Sequence, residues 1–311
     1  MKIGIVGVGA VGTACALASI MRGATREIVL FDRTHKRAEA VATDMRYGTP
    51  LSPVTEIRAG DYDDLAGAAL VMITAGVNEK TGGATDRNDP SGRLKLLDQN
   101  VKVYEEIVPR IAQAAPKAVL LVVTDPPDPL ADHARRLAGH ERVLSTGTYL
   151  DSLRFRVHLA RELGVSPASV EAMVVGEHGV SQVFLWSSAR VAGAPILEEI
   201  ERRGLNRGEF RKRIEADVRY ANITIIEGIN ASQYGIGMVS ARIAEIVLRD
   251  ERAVIPVGSY HEAYGATLSL PSIVGRQGVV DVIEPDMSAH ERQALQRSGE
   301  TIRKAEMRQA S

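Results

Sequence analysis

Cysteine is nearly absent from this sequence, and neither acidic nor basic residues are in clear excess. The 311 residues include one cysteine, Cys15, together with 38 Lys and Arg and 39 Asp and Glu. One cysteine cannot form an intrachain disulfide, and it excludes a cysteine-rich zinc site. Balanced charge gives no electrostatic footprint for nucleic acid or an anionic membrane. We therefore expect a small-molecule partner.

Long apolar runs are also missing. Each run is far shorter than the roughly 20 residues that a membrane-spanning helix needs. The first residues, MKIGIVGVGAVG, enter a strand-like segment without a cleavable signal pattern. We therefore expect a cytoplasmic protein that does not associate with a membrane. The chain length suits two substructures, or one large α/β unit with an added lobe.

The first half of the chain alternates short β-rich segments with helical patterns. The β-rich segments are KIGIV, EIVLF, TEIRA, ALVMITA, KAVLLVV and RVLST. This alternation predicts an α/β fold with a doubly wound parallel sheet. After about residue 146 the pattern changes. It predicts helices over 150–163 and 208–232, a β-rich stretch over 253–283 and a last helix over 288–309, which indicates an α+β lobe. No Pro/Gly/Ser linker separates the halves, so we expect an extensive interface between them.

One polar segment, VNEKTGGATDRNDPSGRL at residues 77–94, joins a predicted strand to a predicted amphipathic helix. Apolar residues at three- and four-residue steps give that helix a buried face. They are Leu94, Leu97, Val101, Tyr104, Val108 and Ile111. The segment is either a solvated connection or a lid that closes on a substrate, and its composition alone leaves both open.

A glycine-rich turn follows the first predicted strand. Gly7, Gly9 and Gly12 form G-x-G-x-x-G between KIGIV and the predicted helix AVGTACALASIMR. In that position glycines permit a tight turn and a close approach to a pyrophosphate. Asp32 ends the second strand, where a carboxylate accepts both ribose hydroxyls and repels a 2′-phosphate. This favours NAD over NADP, although the adjacent Arg33 opposes it, and a turn that binds nothing is the alternative. Cys15 lies in the following helix and suits core packing.

A histidine stands between glycines after the apolar run VEAMVV, in the order Gly176-Glu177-His178-Gly179. Asp151 and Arg154 are three residues apart on a predicted helix and so share a face. In one interpretation the histidine is structural and the pair is a surface ion pair. In the other, Asp151 orients and charges the imidazole while Arg154 binds a substrate carboxylate. Sequence separation cannot choose between them.

Eight ordered blocks carry a family resemblance. They are GVGAVG, FD, TAG, GRLKLLDQNV, VTDPPD, GTYLDSLRFR, GEHG and RAVIPV. With them the chain resembles the NAD-dependent L-lactate and malate dehydrogenases over essentially its whole length. The resemblance implies a Rossmann-type NAD-binding domain at 1–146, with a substrate loop at 77–93, and an α+β catalytic domain at 147–311. It also implies hydride transfer between NAD(H) and a small 2-hydroxy or 2-oxo acid, and a homodimer or homotetramer.

The resemblance assigns roles to individual residues. His178 would be the general acid/base paired with Asp151, and Arg154 would bind the C1 carboxylate of a 2-oxo acid. Arg93 would enter with the mobile loop and polarise the carbonyl that is reduced. The cofactor-binding positions implied are Gly7, Gly9, Val11, Gly12, Asp32, Thr74, Ala75, Gly76, Asn100 and Thr124.

The departures from the family cluster around the substrate. Asp125 replaces an asparagine near the nicotinamide, and the loop after Gly76 is longer than usual. Arg87 within that loop is either a second carboxylate ligand or a solvated side chain. Asn230 or Ser232 would take the place of a small side chain that lines the substrate pocket. Alternatives to a small 2-oxo acid are therefore a bulkier or amino-bearing one that meets Asp125, or a regulatory NAD-binding protein without catalysis.

Overall fold

Strands and helices alternate through the first half of the chain. The computed structural model describes residues 1–82, 84–86 and 92–309. The elements of the first half are β1 (Lys2–Val6), α1 (Ala10–Arg22), β2 (Glu27–Phe31), α2 (His35–Gly48), β3 (Glu56–Ala59), β4 (Leu70–Ile73), α3 (Leu97–Ala114), β5 (Val119–Val122), α4 (Pro127–Ala138) and β6 (Val143–Ser145). Short 3-10 turns lie at Thr49–Leu51, Asp63–Leu65 and Gly92–Leu96.

These strands form a parallel sheet in the order β3-β2-β1-β4-β5-β6. The chain crosses from β3 over to β4 beyond β1, so helices cover both faces, as in doubly wound folds. Strands buried on both faces are nearly continuous in apolar residues, and β4 and β5 are buried along their whole length. The predicted fold class and all six predicted strands of this half are confirmed.

The second half begins with a helix and ends in an antiparallel extension. Its elements are α5 (Tyr149–Leu163), β7 (Val170–Glu171), β8 (Val174–Val175), β9 (Val183–Phe184), β10 (Arg190–Val191), β11 (Ala194–Pro195), α6 (Ile196–Arg202), α7 (Arg207–Arg219), α8 (Ala221–Ile229), α9 (Tyr234–Arg249), β12 (Ala253–His261), β13 (Ala266–Gly275), β14 (Gly278–Val282) and α10 (Ala289–Gln309). A 3-10 turn lies at Pro167–Ser169. Among the described residues, no helix combines the length and the apolar character needed to cross a membrane.

The two halves share one sheet. Strand β12 pairs antiparallel with β6 at Gly258 and Ser145, and β13 and β14 continue the sheet beyond it. Gly258 permits this junction, because a Cβ there would lie 2.0 Å from the Ser145 hydroxyl oxygen and 2.6 Å from Asp128 Oδ1. The expected extensive interface between the halves is therefore a continuous sheet.

One predicted helix is two helices in the structure. The segment predicted over 208–232 breaks at Tyr220, whose φ of −104° and ψ of 11° leave the helical region. Helix α8 then ends at Ile229, because Asn230 adopts the left-handed conformation that ends many helices. The break redirects the chain, so that Asn222 on α8 and Ser232 after it both reach the cavity described below.

Candidate active site

A cavity opens at the carboxyl ends of the parallel strands, where it meets the second half of the chain. It encloses about 690 Å³ when the space at its open side is included. Thr74 and Thr124 line it from the segments after β4 and β5. Arg154 and His178 line it from α5 and from the turn after β8. The topology thus brings residues from both halves of the sequence to one site.

His178 and Asp151 form a close pair beside this cavity. The imidazole Nδ1 lies 2.5 Å from Asp151 Oδ2, and only 2% of the Asp151 side chain is exposed. The other carboxylate oxygen, Oδ1, accepts a hydrogen bond of 3.1 Å from Arg154 Nη1. One buried carboxylate therefore contacts both the imidazole and the guanidinium. The sequence could not decide whether these three residues are neighbours, and the structure brings them together.

Local structure explains why Asp151 and Arg154 lie together. Both stand near the start of α5, three residues apart, so they project from the same face of the helix. His178 is delivered by a tight turn that begins at Gly176, whose φ of 83° suits glycine. A Cβ at Gly176 would also lie 2.7 Å from the Ser298 hydroxyl oxygen. A larger residue at this position would therefore displace the turn that carries the imidazole.

Asp128 holds the backbone of that turn, a role that the sequence did not predict. Its Oδ2 accepts the His178 backbone N–H at 2.7 Å, and its Oδ1 accepts the Ser145 hydroxyl at 2.5 Å. Asp128 is fully buried, and this burial raises the pKa of its carboxyl to about 6, while the bonds from Ser145 and His178 oppose the shift. Only its place in the block VTDPPD after β5 pointed to it.

Asp125 approaches the opposite side of the imidazole. Its Oδ1 lies 3.8 Å from His178 Nε2, and its side chain is 24% exposed. Its backbone carbonyl accepts a hydrogen bond of 2.7 Å from Asn100 Nδ2, and Asn100 is fully buried. His178 therefore has a carboxylate near each ring nitrogen. Asp125 therefore lies directly at the site.

The segment after β4 forms another part of the wall, through Val77, Asn78 and Glu79. The Val77 backbone N–H donates to Asn100 Oδ1 at 2.6 Å. Glu79 Oε1 accepts a hydrogen bond of 2.8 Å from Asn222 Nδ2 on α8. Neither residue was predicted from the sequence, and for Glu79 the reason is that a long loop has no periodicity to indicate which residues face inward.

The remaining residues predicted to bind the substrate do not all lie at the cavity. Ser232 lines the cavity, whereas Asn230 is exposed and its side-chain oxygen accepts a hydrogen bond from the Lys80 ammonium. Arg87 lies outside the described residues. The backbone of Arg93 belongs to the 3-10 turn Gly92–Leu96, but its side chain is not among those described.

The glycine turn between β1 and α1 is shaped for a dinucleotide. At Gly7, with φ of 99°, a Cβ would lie 2.5 Å from the Ala75 nitrogen, and at Gly12 it would lie 2.0 Å from the Gly7 carbonyl oxygen. At Gly9 a Cβ would meet no heavy atom within 4 Å. A side chain at Gly7 or Gly12 would therefore clash with neighbouring backbone, whereas Gly9 leaves open space beside the N-terminus of α1, where helix geometry favours a pyrophosphate.

Asp32 anchors the same turn from the end of β2. Its Oδ2 accepts the Val8 backbone N–H at 2.8 Å, and its Oδ1 accepts the Thr34 backbone N–H at 2.9 Å. The Thr74 hydroxyl donates to the Gly7 carbonyl at 2.5 Å. The residues that surround the turn therefore fit a bound dinucleotide, with an acidic group where the ribose hydroxyls of NAD would lie.

A doubly wound sheet with an open glycine turn, facing a histidine that is paired with a buried carboxylate, is typical of one class of protein. This class is the nicotinamide-dependent oxidoreductases, which transfer a hydride while an acid/base group moves a proton.

Comparison with known proteins identifies the family within that class. Residues 1–144 match the family model described as "lactate/malate dehydrogenase, NAD binding domain", and residues 148–310 match "lactate/malate dehydrogenase, alpha/beta C-terminal domain". The chain is 43% identical over 304 residues to an L-lactate dehydrogenase of Deinococcus radiodurans, covering 97% of each chain. It is 44% identical over 312 residues to one of Thermus aquaticus, covering 98% of each. The chain belongs to the lactate/malate dehydrogenase family.

Solved structures agree with this assignment. The minor L-lactate dehydrogenase of Enterococcus mundtii, in its ligand-bound form, superposes with a TM-score of 0.90 at 32% identity, covering 98% of this chain and 97% of that one. A lactate dehydrogenase from a Medee basin deep-sea metagenome library also gives 0.90, at 30% identity. The protein is an NAD-dependent 2-hydroxy acid dehydrogenase of the lactate type, and its substrate is a small molecule.

Proposed function

We propose that the protein interconverts a monocarboxylic 2-oxo acid and the corresponding L-2-hydroxy acid with NADH and NAD. The observation that carries the proposal is the contact of Asp151 with both His178 and Arg154 at the cavity. The L-lactate dehydrogenases among its relatives support the reaction and its stereochemistry. The same relatives, which are named L-lactate dehydrogenases, favour a monocarboxylic substrate over a malate-type one.

In the proposed reduction, Arg154 binds the C1 carboxylate of the 2-oxo acid and so places its carbonyl oxygen near His178 Nε2. Bound NADH supplies the hydride that the carbonyl carbon receives. As negative charge develops on the oxygen, His178 donates its Nε2 proton, which yields the hydroxyl group. Asp151 holds the ring by its Nδ1 and stabilises the imidazolium that is present before the transfer. In the oxidation direction His178 accepts the hydroxyl proton instead.

Arg93 is proposed to polarise the carbonyl from the other side. Its support is the sequence block GRLKLLDQNV, whose helix begins at the described turn Gly92–Leu96. A cation that approaches the oxygen as its charge develops lowers the activation barrier more than it strengthens substrate binding. Arg87 and Ser232 remain proposed contacts of the substrate, and Asn230 is proposed to act through Lys80.

The cofactor-binding residues also remain proposals. Gly9 would lie beside the pyrophosphate, and Asp32 would accept the ribose hydroxyls. Val11, Thr74, Gly76 and Thr124 line the cavity near the expected nicotinamide. Gly7, Gly12, Ala75 and Asn100 would support this surface through the backbone contacts described above. In the proposed division of labour, residues 1–146 bind NAD and residues 147–311 bind the substrate.

We also propose a homodimer or homotetramer. Large apolar side chains are exposed near the end of α1 and after α2, including Met21, Leu51 and Val54. They belong to one surface, because the Cβ position of Gly23 at the end of α1 lies 2.9 Å from Pro53. An exposed apolar patch of this kind suits a subunit contact. Analytical ultracentrifugation would test the oligomeric state, and a measured mass of one chain, 33.5 kDa, would contradict the proposal.

We also propose a cytoplasmic location, because the reaction needs NAD.

Substitution of His178→Asn tests the function. With pyruvate and NADH, we expect turnover to fall by about 10²–10⁴-fold, the usual contribution of a positioned acid/base group. NADH binding, followed by its fluorescence, should change little. His158→Asn is the matched control, because this histidine of α5 is 30% exposed and faces Asp217 at 3.9 Å. Unchanged turnover in His178→Asn would refute the assigned role, and a wild type that binds NADH but reduces no 2-oxo acid would favour the regulatory alternative.

A further inference from the structure

We propose that Ser298 on the last helix, α10, is a positioning residue for His178 and that it acts together with Asp128. The inference rests on the proposed function, because it concerns how the chain holds the imidazole that moves the proton. Ser298 contacts Glu177, from which it is 121 residues distant in the sequence. None of the sequence blocks that carry the family resemblance contains Ser298.

Two successive backbone N–H groups at the histidine are each held by a buried side chain. The Glu177 N–H donates to Ser298 Oγ at 2.9 Å, and the His178 N–H donates to Asp128 Oδ2 at 2.7 Å. Both acceptor residues are fully buried, and they belong to different helices, α10 and α4. Because a buried N–H without a partner is costly, each bond opposes rotation of the peptide group that carries it. The backbone at His178 is therefore fixed from two directions.

The Ser298 hydroxyl also belongs to a closed set of hydrogen bonds. The Ser181 hydroxyl donates to the Glu177 side chain, which as a carboxylate only accepts. Since the Ser181 proton is used in that bond, Ser298 is the donor to Ser181 Oγ, across 3.0 Å. Ser298 thus accepts from the Glu177 backbone and connects through Ser181 to the Glu177 carboxylate. The chain on both sides of His178 is tied to one hydroxyl group on α10.

Asp128 holds the adjacent peptide group with a carboxylate whose two oxygens are both in use. Oδ2 accepts from the His178 N–H, and Oδ1 accepts from the Ser145 hydroxyl at 2.5 Å. Burial raises the pKa of this carboxyl to about 6, so the group is mostly ionised at neutral pH. A bond to an ionised acceptor is stronger than one between neutral groups. Asp128 therefore supplies the stronger of the two attachments, and Ser298 supplies the second.

These attachments determine where the imidazole lies. Asp151 contacts the ring at Nδ1, but the backbone bonds decide where the α carbon of His178 lies relative to Arg154. A proton donor must stand within hydrogen-bond distance of the oxygen that it protonates. A displacement of about 1 Å can cost about 10²-fold in rate. Loss of Ser298 should therefore impair proton transfer, while Arg154 and the glycine turn still bind the substrate carboxylate and NADH.

Substitution of Ser298→Ala tests this role with pyruvate and NADH at neutral pH. We expect kcat to fall by about 10–100-fold, while KM for pyruvate and the affinity and number of NADH sites per chain change by less than about twofold. Asp128→Asn keeps the shape but loses the charge, and it should give the same split. Ser19→Ala is the matched control, because Ser19 is fully buried on α1 and its hydroxyl donates to the Cys15 carbonyl of its own helix at 2.7 Å. It should keep the wild-type kcat.

A double-mutant cycle shows whether Ser298 acts through the imidazole. In the His178→Asn background, Ser298→Ala should change the residual kcat by less than about twofold, since the group to be positioned is gone. A loss by the same factor in both backgrounds would mean a general structural role and would overturn the proposal. A wild-type kcat in both Ser298→Ala and Asp128→Asn would overturn it as well.

Two further results keep the test decisive. If Ser298→Ala binds no NADH, the same cycle with Asp128→Asn replaces it, and the same outcomes apply. Failure of the proposed function would be seen separately, as unchanged turnover in His178→Asn alone. Failure of the positioning role would instead be seen in the Ser298 and Asp128 variants while His178→Asn is still impaired.

Discussion

Replacing Asp151 by Asn should impair catalysis far more than cofactor binding. The carboxylate is 2% exposed, lies 2.5 Å from His178 Nδ1 and accepts a bond from Arg154 at 3.1 Å. This carboxylate orients the imidazole that acts as the acid/base group. A positioned acid/base group typically contributes about 10²–10⁴-fold to the rate, or about 3–5 kcal/mol of barrier, so kcat/KM for pyruvate should fall by about that factor when its orienting carboxylate is lost. Part of the loss should be a higher KM, because Arg154 loses its ion pair with Asp151.

The assay is NADH oxidation under steady-state conditions, together with NADH fluorescence titration to show that the glycine turn is intact. Asp217→Asn provides the control, since this aspartate also faces a histidine of α5 but lies 3.9 Å from it and is 46% exposed. Exposed pairs contribute little, so the control should retain kcat/KM within about twofold. A variant of Asp151 that keeps more than about a tenth of wild-type kcat/KM would refute the reasoning, because the buried contact would then not support the acid/base step.

Two further perturbations follow from buried or crowded positions. Burial raises the pKa of Asp128 from 3.8 to about 6, so between about pH 4 and 6 the unfolded chain releases a proton that the folded chain keeps. The free energy of unfolding should therefore fall by up to ~3 kcal/mol as pH rises through this window. Urea unfolding at the two ends of this pH window measures the fall in the free energy of unfolding. The fall should be smaller in Asp128→Asn than in the wild type, and equal falls would contradict the assignment to Asp128. Separately, Gly12→Ala should lower the melting temperature, because its Cβ would lie 2.0 Å from the Gly7 carbonyl oxygen. Gly9→Ala should leave the melting temperature nearly unchanged but weaken NADH binding, and undiminished affinity would argue against a dinucleotide at that point.

The strands and α1 could be predicted because each is a short apolar run bounded by glycine or charge. The sequence pattern did not reveal the break at Tyr220, since the helical periodicity runs through this residue although its backbone leaves the helical region. Tertiary context often overrides local helix propensity, and a local sequence pattern does not record that context.

Less of the candidate site than of the fold could be predicted from the sequence. Asp151 and His178 are 27 residues apart, and only the resemblance to a known family joined them before the structure did. Asp128 and Glu79 were not predicted, because the first acts through a backbone N–H and the second lies in a loop whose inward-facing residues no periodicity marks. Asp125 was identified from the sequence as a departure from the family. The structure places its carboxylate 3.8 Å from His178 Nε2, so the departure lies at the candidate acid/base group.

The sheet that runs through both halves has a mechanical consequence. Strands β6 and β12 are neighbours in one sheet and pair at Ser145 and Gly258, so a hinge motion that separated the halves would break this backbone pairing. We therefore expect any adjustment to a bound substrate to involve residues at the rim of the cavity, such as Val77, Asn78 and Asn222. Substitutions of a few residues at the rim could then change which acid the enzyme accepts, while the shared sheet keeps the cofactor turn and His178 in the same relative position.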